Sequence, residues 1–87
     1  MEYKVLIRKT ALKFIEKQDR RTQERLLKAI KQLPKNGDIK KMRGSDFLYR
    51  LRVGDFRVLF EVTPISIEVT LIDVTDVDSR GQIYKGL

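Results

Sequence analysis

Tyr49-Arg50-Leu51-Arg52-Val53-Gly54-Asp55-Phe56-Arg57-Val58-Leu59-Phe60: this segment specifies a β-hairpin. Two runs of alternating apolar and polar residues flank Gly54-Asp55, a pair that suits a two-residue turn with glycine where a positive φ is needed. Such a turn fixes the register of the two strands, so that Val53 faces Phe56 and Tyr49 faces Phe60. The apolar residues then share one face of the sheet, and the rest of the fold must cover that face.

The opposite face of this hairpin concentrates positive charge. It carries Arg50, Arg52 and Arg57, and the register places Arg52 directly opposite Arg57. Like charges opposed on neighbouring strands, with Cβ atoms roughly 5 Å apart, destabilise a sheet. The cluster therefore indicates an anion-binding face. The alternative is a solvated face whose charge is neutralised by Glu61 or by an acidic residue elsewhere.

Composition limits the possible functions. The 87 residues predict a single domain, 1–87, and the chain contains no Cys, His or Trp. The usual zinc sites, disulfides, Ser-His-Asp catalysis and Cys-His catalysis are therefore excluded, and we expect neither a metal site nor a cofactor. No segment resembles a membrane span or a signal peptide, which predicts a cytoplasmic protein. Nineteen Lys and Arg against twelve Asp and Glu give a net charge of +7, which favours a polyanionic partner over simple solubility.

The first part of the chain predicts a strand followed by two helices. Residues 2–7 alternate as a strand does, and Thr10 is a plausible N-cap for a helix over about 11–18. Asp19 is predicted to cap a second amphipathic helix, about 20–33. These helices form an αα-hairpin.

The remainder of the chain predicts β-structure. Asp38–Arg43 is a strand or an extended lead-in, and the central hairpin covers about 47–62, where Thr63-Pro64 is expected to end it. Ile65–Val74 is predicted to be a further strand with Ile67, Val69 and Leu71 on one face, and 76–87 to be a polar tail with a few anchors. Strands that pair with their neighbours form an antiparallel sheet, and the helices are its only available cover. The predicted class is α+β: an N-terminal strand and an αα-hairpin packed on one face of an antiparallel β-sheet.

The candidate catalytic residues are basic, apart from one tyrosine: Arg50, Arg52, Arg57, Arg80 and Tyr84. Guanidinium groups bind phosphate bidentately and neutralise the charge of a pentacoordinate phosphorus transition state without a metal. RNA supplies its own nucleophile, the 2′-hydroxyl, and a tyrosine stacks on bases. Arginine is a poor general base, so this set predicts catalysis by orientation and charge stabilisation. The further basic residues Lys40, Lys41 and Arg43 are candidate RNA contacts or solvated charges.

The chain resembles the RelE toxins of the RelE/ParE superfamily. The resemblance rests on the order of elements, on the segment from Tyr49 to Phe60, and on the closing Arg80-Gly81-Gln82-Ile83-Tyr84-Lys85. It implies a RelE-like fold and a ribosome-dependent endonuclease that cuts mRNA in the ribosomal A site by 2′-hydroxyl attack. It also implies a RelB-like antitoxin that wraps around the toxin and inhibits it.

The resemblance also assigns roles to individual residues. Arg57 matches the family's phosphate-binding arginine, and Tyr84 matches its C-terminal, substrate-orienting tyrosine. Arg80 is the nearest candidate for the C-terminal arginine, with a role at the leaving group or the backbone. Arg50 and Arg52 stand where better-studied relatives have two lysines, and Ser79 stands where many have a histidine. The identity of the proton acceptor is therefore open.

Two other functions are compatible with the sequence. ParE relatives share the fold and inhibit DNA gyrase, but they generally lack the full set of basic residues and tyrosine, so Arg50, Arg52, Arg57 and Tyr84 favour the RelE function. The third possibility is a non-catalytic module that binds RNA or an acidic antitoxin.

Overall fold

The structure, a computed structural model, describes residues 2–79. Its elements, in chain order, are β1 (Glu2–Ile7), α1 (Lys9–Glu16), α2 (Arg20–Lys31), β2 (Asp38–Lys41), β3 (Leu48–Val53), β4 (Phe56–Pro64) and β5 (Val69–Ser79). The strands form one sheet in the order β1-β5-β4-β3-β2. The predicted α+β class, with an N-terminal strand and a helix pair on a sheet, is confirmed.

The sheet is antiparallel from β2 to β5, but β1 joins it in parallel, alongside β5. The helix pair carries the chain from the β1 edge to the β2 edge, and the remaining strands then run back until β5 lies beside β1. Pairing neighbours in sequence could not have predicted this contact, because β1 and β5 are separated by the whole domain.

The central hairpin has the predicted register. Val53 opposes Phe56 and Arg52 opposes Arg57, as the two-residue turn requires. Gly54 has a φ of 58°, in the left-handed region that favours glycine. The guanidinium of Arg25, on α2, also lies so close to Gly54 that a Cβ there would collide with it. The positive φ explains the need for glycine at this turn, whereas the Arg25 guanidinium ends an exposed, flexible side chain that can move aside.

The helices cover the apolar face of the hairpin, as predicted. Leu51, Val58 and Phe60 are almost completely buried there. Tyr49 stacks on Phe60, with 5.7 Å between ring centroids. The helices and β5 contribute the other fully buried side chains of this core, which include Ala11, Ile15, Leu26, Ile30, Ile72 and Val74. The three arginines on alternate positions are thereby directed to the face of the sheet opposite the helices.

One helix start was predicted correctly and one was not. The Asp19 carboxylate accepts a hydrogen bond from the Thr22 N–H at 3.0 Å and caps α2, which lowers the pKa of Asp19. Thr10 is not an N-cap, because α1 already begins at Lys9, with Arg8 in the N-cap position. The Arg8 N–H is bonded to the carbonyl of Val74, so β5 positions the chain to turn into the helix earlier than the side-chain signal indicates.

The predicted boundary between β4 and β5 was wrong. β4 continues through Thr63-Pro64, and β5 begins only at Val69 and extends to Ser79. At Pro64 the strand pairs with β5 alone, because β3 ends its pairing at Glu61; proline is tolerated where one edge is free. Ile67 therefore lies in the turn, 94 % exposed, and the buried positions of β5 include Ile72 and Val74.

The lead-in strand is confirmed as β2, Asp38–Lys41. Among the described residues, no helix is both long enough and apolar enough to span a bilayer.

Candidate functional site

A line of four charged residues crosses the face of the sheet opposite the helices. Asp38 opposes Arg52, Arg52 opposes Arg57, and Arg57 opposes Asp78. We call these four residues the charged row. Because adjacent strands lie about 4.8 Å apart, the row is roughly 14 Å long from β2 to β5. Opposed residues share a face, so two guanidiniums are placed side by side between two carboxylates.

Arg57 is the most buried member of the charged row. It is only 5 % exposed, and its Nε has no hydrogen-bond partner among residues 2–79. Its Nη1 donates to the carbonyl of Phe56 at 3.3 Å. A buried guanidinium with an unsatisfied donor costs stability. Such a group is suited to bind an anion that satisfies the donor.

Arg50 and Arg52 have different surroundings on the same face. The Nη2 of Arg50 lies 3.4 Å from Oδ1 of Asp38, and the Arg50 side chain is only 17 % exposed. Asp38 thus pairs diagonally with Arg50 and not with Arg52, which it directly opposes. Arg52 is exposed and forms no ion pair or side-chain hydrogen bond within the described part of the chain. The positive charge that remains uncompensated is therefore centred on Arg52 and Arg57.

A basic pocket lies next to the charged row, and Arg50, which pairs with Asp38 of the row, forms part of its lining. Its volume is about 660 Å³, and it is lined by Lys40, Lys41, Met42, Arg43, Gly44, Ser45, Asp46 and Arg50. The loop that forms its wall is closed by Ser45, whose hydroxyl oxygen accepts hydrogen bonds from the N–H groups of Phe47 and Leu48. Asp46 lies 3.6 Å from Lys41 and neutralises part of its charge. The three residues predicted as RNA contacts, Lys40, Lys41 and Arg43, are therefore brought together next to Arg50.

Two of the predicted site residues cannot be placed in this geometry. Arg80 and Tyr84 lie outside the described residues.

Within residues 2–79, no group of three or more acidic side chains is arranged to hold a metal ion.

Sequence reasoning missed the two carboxylates of the charged row. Asp38 was read only as the start of a strand, and Asp78 as part of a polar tail. The hairpin register could have indicated Asp78. Any strand that pairs with the free edge of β4 places one residue opposite Arg57, and that residue is Asp78. The predicted end of β5 at Val74 concealed it, because the strand extends to Ser79.

Comparison with known proteins gives a consistent family and fold. Residues 3–84 match the family model described as ParE toxin of type II toxin-antitoxin system, parDE. No curated protein sequence matches the chain.

Three solved structures of similar fold are complexes of a toxin with its antitoxin. The chain is 26 % identical to a chain of the archaeal RelE-RelB complex from Pyrococcus horikoshii OT3, with a TM-score of 0.72 over 94 % of this chain and 99 % of that one. It is 27 % identical to a chain of the RelB-RelE complex from Methanococcus jannaschii, with a TM-score of 0.73 over 94 % and 98 %. A chain of the RelBE2 complex from Mycobacterium tuberculosis, 20 % identical over 92 % and 100 % with a TM-score of 0.63, shares the fold.

Proposed function

The chain belongs to the ParE toxin family, within the RelE/ParE superfamily of type II toxin–antitoxin systems, and from this premise we propose that it is a ribosome-dependent mRNA endonuclease. It cuts mRNA in the ribosomal A site and so stops translation. The observation that carries this proposal is the pair of guanidiniums, Arg52 and Arg57, which face each other without an ion pair within residues 2–79, on the side of the sheet opposite the helices.

In the proposed reaction the scissile phosphate lies between Arg52 and Arg57. Guanidiniums hold phosphate oxygens in a forked geometry, and their charge stabilises the additional negative charge that develops as the 2′-oxygen attacks phosphorus. The free Nε of Arg57 provides a donor for one phosphate oxygen. Arg50 contributes charge at the pocket, while Asp38 holds its guanidinium in place. The chemistry requires no metal or cofactor.

Residues outside the charged row extend the proposed contact with RNA. Lys40, Lys41 and Arg43 bind the mRNA backbone along the basic pocket. From the family resemblance of the closing segment, Arg80 supports the leaving group or the backbone, and Tyr84 orients the base at the cleavage point.

We also propose a RelB-like antitoxin as the partner of this chain. Two structures that share its fold at 26 % and 27 % identity are RelE-RelB complexes. The net charge of +7 suits an acidic segment that folds on contact and neutralises the basic face. By covering the charged row, such a segment would exclude RNA.

Gyrase inhibition is the second candidate function, because the matching family model is that of ParE. The two functions require different features of the sheet surface. RNA cleavage requires Arg52 and Arg57 at a phosphate, whereas gyrase inhibition requires no phosphate-binding pair. Primer extension on ribosomes with a defined A-site codon, together with a gyrase supercoiling assay, separates the two functions.

We expect the wild-type protein to generate new mRNA ends inside the A-site codon and to leave supercoiling unchanged. Arg57→Ala should lower the cleavage rate by roughly a hundredfold, the magnitude typical for loss of one donor to a developing oxyanion. Lys28→Ala, an exposed α2 charge outside the site, is the matched control and should cleave normally. Intact mRNA together with inhibited supercoiling would identify a gyrase inhibitor. RNA binding with steep salt dependence but no cleavage would identify a non-catalytic module.

A further inference from the structure

Asp78 is the carboxylate at the β5 end of the charged row. It opposes Arg57 in the β4–β5 pairing, so both side chains are directed to the same face of the sheet. Its neighbours in sequence alternate with it, and Val77 is 5 % exposed on the covered face opposite Val58. The half-buried Asp78 is thus held by an ordered strand beside the proposed phosphate site.

The carboxylate of Asp78 does not form an ion pair with the arginine that it faces. Oδ1 accepts a hydrogen bond from the Ser79 N–H at 2.7 Å, while Oδ2 has no hydrogen-bond partner in the described part of the chain. Arg57, on the adjacent strand, has an unsatisfied Nε. An unfilled donor and an unfilled acceptor therefore lie on neighbouring strands of one face. A ribonucleotide offers both a phosphate oxygen for the donor and a 2′-hydroxyl for the acceptor.

The other carboxylates of this face are either occupied or placed elsewhere. Asp73 is bound by Arg8 through two hydrogen bonds of 2.7 and 2.9 Å. Asp38 is paired with Arg50. Asp76 is exposed opposite Leu59, and Glu61 lies between Leu48 and Asp73, so neither opposes an arginine. Within residues 2–79, Asp78 is the carboxylate that directly opposes an arginine of the proposed site without being held in an ion pair.

We propose that Asp78 is the general base of the RNA cleavage reaction, an inference that rests on the proposed function. Asp78 takes the proton as the 2′-O–H bond breaks, and the 2′-oxygen forms a bond to phosphorus. The bond from phosphorus to the 5′-oxygen breaks, and that oxygen takes a proton from water. The products are a 2′,3′-cyclic phosphate and a 5′-hydroxyl, and Asp78 returns its proton to solvent. Arg52 and Arg57 hold the phosphate throughout.

The test compares Asp78→Asn with Asp76→Asn, which makes the same charge change two residues earlier on the same face. Single-turnover cleavage is measured on programmed ribosomes. Binding is measured on ribosomes whose A-site nucleotide is 2′-deoxy and cannot be cut. Asp78→Asn should lower the cleavage rate by a hundredfold or more, in the range for loss of a general base, with binding within about threefold of wild type. Asp78→Glu should restore part of the rate, and Asp76→Asn should cleave normally.

Several outcomes would overturn the role of Asp78. Cleavage by Asp78→Asn within threefold of wild type would show that another group accepts the proton. An equal loss in Asp76→Asn, or a loss of binding in place of rate, would show that the carboxylate acts through general charge or structure. In all these cases the wild-type protein still cleaves, so the proposed function stands. If the wild-type protein does not cleave, the proposed function and the role of Asp78 both fail.

Discussion

Replacing Arg57 by methionine should stabilise the fold and at the same time lower the rate of the proposed RNA cleavage by roughly a hundredfold. Arg57 is 5 % exposed, its Nε is unsatisfied within the described chain, and it opposes the positive charge of Arg52. Methionine keeps an unbranched apolar stem of similar length and removes both unfavourable features. A residue whose removal strengthens the fold is maintained for a reason other than stability.

The expected gain follows from three contributions. An unsatisfied buried donor costs about 1–3 kcal/mol, and a directly opposed like charge costs about 0.2–1 kcal/mol. The substitution also removes the attraction between Arg57 and Asp78, which form no ion pair and contribute less than about 1 kcal/mol. These ranges give a rise of roughly 0.2–4 kcal/mol in the free energy of unfolding, with a central value of about 2 kcal/mol. In a domain of this size each kcal/mol corresponds to roughly 4–8 °C in Tm.

Urea denaturation of the purified chain measures this change, and Arg52→Met is the matched control. Arg52 is exposed, so that variant should gain only the relief of like-charge repulsion, less than about 1 kcal/mol. The double variant should gain less than the sum of the two, because the repulsion can be relieved only once. High salt screens the repulsion between Arg52 and Arg57, so it should reduce the part of the stability gain that the two variants share. The part of the Arg57→Met gain that comes from removing the unsatisfied donor should remain.

The opposite result would refute the reasoning. If Arg57→Met lowered the free energy of unfolding by 1 kcal/mol or more, the guanidinium would be a satisfied structural group. It would then have no free donor for a phosphate, and the proposed site would lose its central residue.

Three further predictions concern other parts of the molecule. Phe60→Ala, at a position that is 0 % exposed, should lower the free energy of unfolding by about 3–5 kcal/mol in calorimetry, whereas Phe47→Ala, at a position 54 % exposed, should change it by less than about 0.5 kcal/mol. Arg43→Ala should reduce the slope of log affinity for RNA against log salt by about one, measured by titration, while Lys28→Ala should leave it unchanged. Folding lowers the pKa of Asp19, so its stabilising effect is present above the unfolded value of about 3.9 and is lost as pH falls through the folded pKa. Asp19→Ala should therefore lower Tm near neutral pH, and the difference from wild type should vanish in strong acid.

Local patterns predicted the parts of the fold that local chemistry determines. Gly54-Asp55 fixes a two-residue turn, and the period of two along each strand then places Arg52 opposite Arg57 without further information. Asp19 is a sufficient signal for the start of α2, because its carboxylate meets an N–H only three residues away.

The parts that failed depend on contacts distant in sequence. Thr63-Pro64 was expected to interrupt the hairpin after residue 62, yet both residues belong to β4, which ends at Pro64. They pair with β5 on one side only, because β3 ends its pairing at Glu61. β5 was also predicted to end at Val74, and this placed Asp78 in the tail although it lies in the strand, opposite Arg57. Arg8 takes the N-cap position of α1 because Val74 binds its backbone, a contact that no local pattern contains.

The parallel pairing of β1 with β5 joins the beginning of the domain to its end. Glu2–Ile7 are synthesised early, but Val69–Ser79, the strand beside which they lie, are synthesised late. The same late strand supplies Asp78 and completes the surface around Arg57. Contacts of such long sequence separation form slowly, because the loop between them must close first. A nascent chain that has not yet released β5 therefore has neither a closed core nor a complete charged row, so the surface around Arg57 forms only after the last strand of the sheet has been synthesised.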